Sequence, residues 1–173
     1  FYDKIKVPPP TWCPECRLIR RLAWRNEKTL YRRKCDAPGH EEILISTYAP
    51  DTPFNAYDQK YWWSDEWNPL DYGQEYDPKV SFFKQLDSLF HKIPLVALGN
   101  NYPTLVNSEY VNESGEAKNC YLIFDADYCD NVLYSSRLTY IKDSMDILNG
   151  RELELCYESI NCRKSSRIFF SED

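Results

Sequence analysis

The apolar positions of this chain change their spacing along its length, and each spacing predicts a different element. Within residues 16–27, Leu18, Ile19, Leu22 and Ala23 fall at i, i+1, i+4 and i+5, with Arg17, Arg20, Arg21, Arg25 and Lys28 on the other side. That is the pattern of an amphipathic helix. Residues 29–34 and 42–48 read as two strands around the turn Asp36-Ala37-Pro38-Gly39. A second helix is predicted over residues 78–93, with Asp77 as N-cap and Pro78 at its first position. Its stripe is Phe82, Leu86, Leu89 and Ile93, widened by Phe83 and Phe90; His91 and Lys92 suit its C-terminal end, and Pro94 stops it. So wide an apolar face is expected to pack on the β structure that follows.

From residue 105 the pattern becomes a repeat. Short strand-like units begin at residues 107, 119, 131, 143, 154 and 166, and Asn opens the first three. Recurrence of residue type as well as spacing predicts a parallel β-solenoid, with two units expected to make about one coil. An antiparallel β-sandwich is the alternative. In the solenoid the Asn/Asp column is a ladder of stacked hydrogen bonds, and Asp125, Asp127, Asp130, Asp143 and Asp146 are turn and surface residues.

Residues 51–77 keep neither period. Phe54, Tyr57, Tyr61, Trp62, Trp63, Trp67, Tyr72 and Tyr76 are interleaved there with Pro, Asp and Asn. One reading is an aromatic seam joining the flanking parts. The other is a stacking platform for sugars or bases on Trp62, Trp63 and Trp67. The fold class is therefore mixed α+β: a head at 1–50, an aromatic connector at 51–77, an amphipathic helix at 78–94 and a repetitive β body at 105–173.

Charge sharpens this division. Residues 1–50 carry ten Lys/Arg against six Asp/Glu, whereas the remaining residues carry eleven against twenty-one. No apolar run reaches the ~20 residues of a membrane helix, and no signal-peptide pattern opens the chain, so no membrane partner is expected. Seven cysteines cannot all pair with one another. Their usage points to a reducing compartment, the cytoplasm, with Cys120, Cys129, Cys156 and Cys162 as buried small hydrophobes.

Cys13-Pro14-Glu15-Cys16 is a C-x2-C knuckle, in which two thiolates converge on a zinc ion at about 2.3 Å. Cys35 and His40 are the candidates within this chain to complete a tetrahedral site. The alternative leaves Cys35 in the core and His40 at a hairpin tip, with the missing ligands upstream of Phe1. A knuckle opening a helix resembles treble-clef zinc folds. Taken together, Cys13-Pro14-Glu15-Cys16-Arg17, Arg20-Arg21-Leu22-Ala23-Trp24-Arg25-Asn26-Glu27, Leu30-Tyr31-Arg32-Arg33-Lys34-Cys35-Asp36, Ser46-Thr47-Tyr48-Ala49-Pro50-Asp51 and Tyr61-Trp62-Trp63-Ser64-Asp65-Glu66-Trp67 resemble an uncharacterised bacterial zinc-ribbon-like family. Its members often carry a further C-x2-C upstream, and the resemblance implies no activity.

Between Arg17 and Lys34 lie eight Lys/Arg and one Glu. Arg17, Arg20, Arg21, Arg25 and Lys28 are candidate contacts to RNA or DNA phosphates; the same charges would equally hold the acidic body of the chain. The reading that follows is a non-enzymatic, zinc-stabilised binding or assembly module whose partner is another protein or a nucleic acid. No catalytic residue is assigned. A carbohydrate-binding or carbohydrate-active solenoid, using carboxylates among Asp125, Asp127 and Asp143, is the rival. A homo-oligomeric structural protein is the third reading.

Overall fold

In the repetitive body, each third residue from Ser108 to Cys162 is buried. The residue before each inward side chain, from Glu113 to Phe170, has left-handed backbone with φ between 46° and 61°. The chain thus turns a corner every three residues. The computed structural model describes residues 1–172; Asp173, the last residue of the expected body, lies outside them.

Pairing is parallel throughout the body, with residue i beside i+12. Asn112 faces Phe124, Ala117 faces Cys129, Met145 faces Tyr157 and Tyr157 faces Phe169. A register of twelve with a corner every three residues gives a four-sided coil, and about five coils run through residues 112–172. The solenoid expected from the repeat is therefore present, but each unit forms a whole coil rather than half of one. The frequent corners close each circuit in half the expected length. The backbone groups are satisfied between coils: Met145 N–H donates to Cys156 O at 3.1 Å, and Leu155 N–H to Lys142 O at 3.2 Å.

So narrow a bore admits only small or slender side chains. Ile123, Ile141, Ile147, Val111 and Val132 are fully buried among Ala117, Ala126, Gly150, Leu138, Leu153 and the four cysteines. Inward serines serve two coils at once. Ser135 donates to Leu133 O at 2.7 Å and accepts from Ile147 N–H at 2.9 Å; Ser144 donates to Lys142 O at 2.8 Å and accepts from Cys156 N–H at 3.0 Å. Buried polar groups are tolerated here because each finds its partner. Outside, the Asn ladder forms as expected: Asn107, Asn119, Asn131 and Asp143 are linked by side-chain hydrogen bonds of 3.0, 3.0 and 2.7 Å.

The head begins with helix α1 (Tyr2–Ile5) and helix α2 (Pro14–Leu22), which starts earlier and stops sooner than the arginine pattern predicts. Strands β1 (Tyr31–Lys34) and β2 (Ile43–Ser46) form the predicted hairpin, with Lys34 opposite Ile43. Strand β3 (Asn55–Tyr57) runs into helix α3 (Gln59–Trp62) and pairs in parallel with β4 (Pro94–Val96). Cys35, Ala37, Leu44, Tyr57, Tyr61 and Ala97 make a second core, with Trp62 and Trp67 packed against it.

The second predicted helix is shorter, α4 (Phe82–Phe90), and Ser81 rather than Asp77 precedes it. Asp77 caps a separate turn, accepting from Lys79 N–H at 2.8 Å. Its apolar face is not buried as expected: Leu86 and Leu89 are half-covered, while Phe82, Phe83 and Phe90 stay exposed.

Candidate metal centre

Where β1 ends and β2 begins, the hairpin register places Cys35 opposite Glu42, and Cys35 N–H donates to Glu42 O at 3.0 Å. Cross-strand neighbours present their side chains to the same side. The loop between them closes through His40 N–H to Ala37 O at 3.1 Å, with Gly39 at φ 79° making the turn. That turn brings His40 back over the pair. The ligand atoms of Cys35, His40 and Glu42 all lie within 4.8 Å of one another.

Each donor is held from behind. Cys35 is 2% exposed and its Sγ accepts Asp58 N–H at 3.4 Å. His40 Nδ1 lies 2.6 Å from Glu42 Oε1, and its ring meets the edge of Tyr61 at 4.5 Å. The hydrogen bond to His40 holds the Glu42 carboxyl below its ordinary range. Asp36 and Arg33 fix the floor: Asp36 Oδ2 accepts from Ala56 N–H at 2.8 Å and from Arg33 at 2.7 Å, and buried Arg33 also donates to Phe54 O at 3.0 Å. A thiolate, an imidazole and a carboxylate form a donor set suited to a divalent ion of borderline softness.

The four ligands expected from the sequence are divided. Cys35 and His40 converge, joined by Glu42, which sequence reasoning placed only as a strand residue. Its signal was the hairpin itself, since pairing Lys34 with Ile43 fixes Glu42 beside Cys35. Cys13 and Cys16 stand apart, both exposed, the first as the N-cap of α2 and the second in its first turn. Cys16 N–H donates to Cys13 Sγ at 3.2 Å, and among the described residues no third acidic, His or Cys donor joins the pair. That hydrogen bond pulls the Cys13 thiol below its ordinary range, while the thiol of Cys16, donating to Cys13, is pushed up.

The chain matches no family model, no curated protein and no solved structure.

The basic residues also part company. Arg25 pairs with Glu113 of the body and with Glu27 at 3.4 Å. Lys28 Nζ donates to Ser136 Oγ at 2.8 Å, and Asn112 Nδ2 to Glu27 O at 3.0 Å, so this stretch fastens the head to the solenoid. Arg20 lies over the Trp12 ring at 5.2 Å. Among the described residues Arg17, Arg20 and Arg21 make no ion pair.

The three tryptophans lie in ring contact, Trp62 with Trp63 at 4.8 Å and with Trp67 at 5.7 Å, but differ in exposure. Trp67 Nε1–H donates to Trp62 O at 2.7 Å and Trp62 Nε1–H to Pro94 O at 3.3 Å, tying both into the second core. Trp63 alone is largely exposed, beside an open hollow of about 530 Å³ lined also by Asn100, Asn101 and Tyr102. Asp125, Asp143 and Asp146 occupy solenoid corners, as their turn role anticipates. Among the described residues no helix is long and apolar enough to cross a membrane.

Proposed function

We propose that this chain is a non-enzymatic binding and assembly module, in which the solenoid is a rigid scaffold and the head makes the contact with another macromolecule. The observation that carries this reading is α2. It has one apolar and one arginine-bearing face, yet none of its residues is buried. A helix of that kind gains its stability from a covered face. Leu18, Ile19 and Leu22 are exposed beside Arg17, Arg20 and Arg21, which offer positive charge to an acidic partner. Zinc is the ion we assign to the head, and the cytoplasm is the compartment best suited to seven free cysteines.

RNA or DNA is the polyanion to test first. Fluorescence anisotropy with labelled single-stranded RNA and duplex DNA, run from 50 to 200 mM salt, should show affinity that falls steeply as salt rises. Absence of binding at 50 mM salt removes the nucleic-acid version and leaves a protein partner for α2. A second reading, carbohydrate binding, is supported by Trp63 and Tyr102 beside the amides of Asn100 and Asn101. Quenching of tryptophan fluorescence by oligosaccharides, lost in Trp63→Ala, would favour it.

A further inference from the structure

We infer that Cys35, His40 and Glu42 form a zinc-type cation site by themselves, with Cys13 and Cys16 outside it, and that the bound ion clasps the hairpin to the element beginning at Asp58. The inference goes beyond the binding reading and holds whether or not α2 has a partner.

The donors come from one short stretch, Cys35 to Glu42, already closed by the Cys35–Glu42 and His40–Ala37 backbone hydrogen bonds. Little ordering is left for an ion to impose. The thiol is buried, while His40 is half-buried and Glu42 exposed, so the site has a sheltered back and an open front. That front adjoins a cleft of about 390 Å³ lined by Glu42, Asp58, Gln59, Asn107 and Glu109. Three protein donors, of which Glu42 lines the cleft, leave the fourth tetrahedral position for water or an added ligand.

The second layer fits an ion as well. Asp58 N–H points at Cys35 Sγ, a contact that steadies a thiolate, and Tyr61 limits rotation of the His40 ring. Asp58 also caps α3, accepting from Lys60 N–H at 2.8 Å. An ion on Cys35 therefore links the hairpin, through one residue, to the start of α3.

Cobalt(II) is the probe, titrated into the metal-stripped full chain and followed by absorption. Binding of one equivalent with sulfur-to-cobalt charge transfer and intense visible bands of low coordination number is expected, and zinc should displace it. His40→Ala and Glu42→Gln should weaken binding at least about tenfold. Cys35→Ser should abolish the charge-transfer band, and the Cys13→Ser/Cys16→Ser double variant should leave it. Because Cys35 is buried, circular dichroism must confirm that its variant folds; the more exposed His40 and Glu42 carry the test if it does not. A second equivalent lost only in the Cys13→Ser/Cys16→Ser variant leaves the assignment standing. Charge transfer that vanishes in that double variant but survives His40→Ala and Cys35→Ser overturns it, as does failure to bind cobalt.

Discussion

A Cβ on Gly150 would lie 2.7 Å from Cγ2 of Ile147, and only 2.8 Å from Cδ1 of Leu153. Glycine is there because two large neighbours in the same coil have already filled the bore. Gly150→Ala should therefore destabilise the protein by about 1–3 kcal/mol, the usual penalty for overpacking. Urea unfolding would measure it, and Leu153→Val in the same chain, which removes the Cδ1 contact, should recover part of the loss. An unchanged midpoint for Gly150→Ala would mean that the bore is looser than the contacts indicate.

Leu155 stands one coil above Asp143 in the Asn/Asp column and takes φ 56° with an exposed, branched side chain. Asn is the residue that best tolerates this backbone after glycine. Leu155→Asn should raise stability by about 1 kcal/mol through relief at this left-handed corner. The reverse change, Asn131→Leu, removes hydrogen bonds to both Asn119 and Asp143 and should lower the melting temperature.

The cysteines should react in a fixed order. Cys13 is exposed and its thiol is held below the ordinary range by the Cys16 N–H, so it carries the larger thiolate fraction near neutrality. In metal-free protein at pH 7.5, iodoacetamide should label Cys13 first and leave Cys120, Cys129, Cys156 and Cys162 unmodified until unfolding. Peptide mass mapping reads the order directly. Rapid labelling of the inner four in native protein would contradict the buried lumen.

Burial pushes the Cys129 thiol up to about 12, against an ordinary value of 9.0. The folded state thus keeps a proton that the unfolded chain gives up. The associated stability is complete below pH 9 and is lost as pH rises toward 12. Burial raises the Tyr57 hydroxyl as well, adding to the same alkaline loss. Unfolding midpoints should fall across this window, and Cys129→Ala should make the fall shallower. A midpoint that stays level from pH 9 to 11 would argue against a thiol held protonated by the fold.

Arginines in contact with a polyanion and those engaged within the chain should behave differently. Arg20→Ala and Arg21→Ala should each lower the salt slope of nucleic-acid binding by about 1, as expected for a phosphate contact. Arg25→Ala should leave that slope unaltered, since its guanidinium is engaged by Glu113. Equal losses from all three would show that Arg25 leaves the body when a partner binds.

The twelve-residue step was legible because the Asn of the first three units marks it, and it proved to be the pairing register. The coil's size was not. Inward positions recur every three residues, but Ser, Ala, Cys and Gly fill so many of them that no apolar period of three stands out. The corners hide in the same way: Leu122, Tyr128 and Arg137 carry positive φ without any of the usual markers for it. In the head, the hairpin and two of the three candidate metal donors followed from spacing. Glu42 was hidden because its role arises from strand register rather than from a motif. The apolar stripes of α2 and α4 were read correctly as patterns, but a stripe does not say whether anything in the same chain will cover it.

A thread wound three residues to a side and four sides to a circuit can be edited only in whole circuits. One residue added midway would turn the lumen outward for every later position. Three added together would keep inside and outside intact but rotate the remaining walls by a quarter turn, moving each column onto a neighbouring face. Only twelve restore all alignments at once. The body is in effect a ruler marked in equal rungs, and a partner that grips one rung would meet the next at the same pitch.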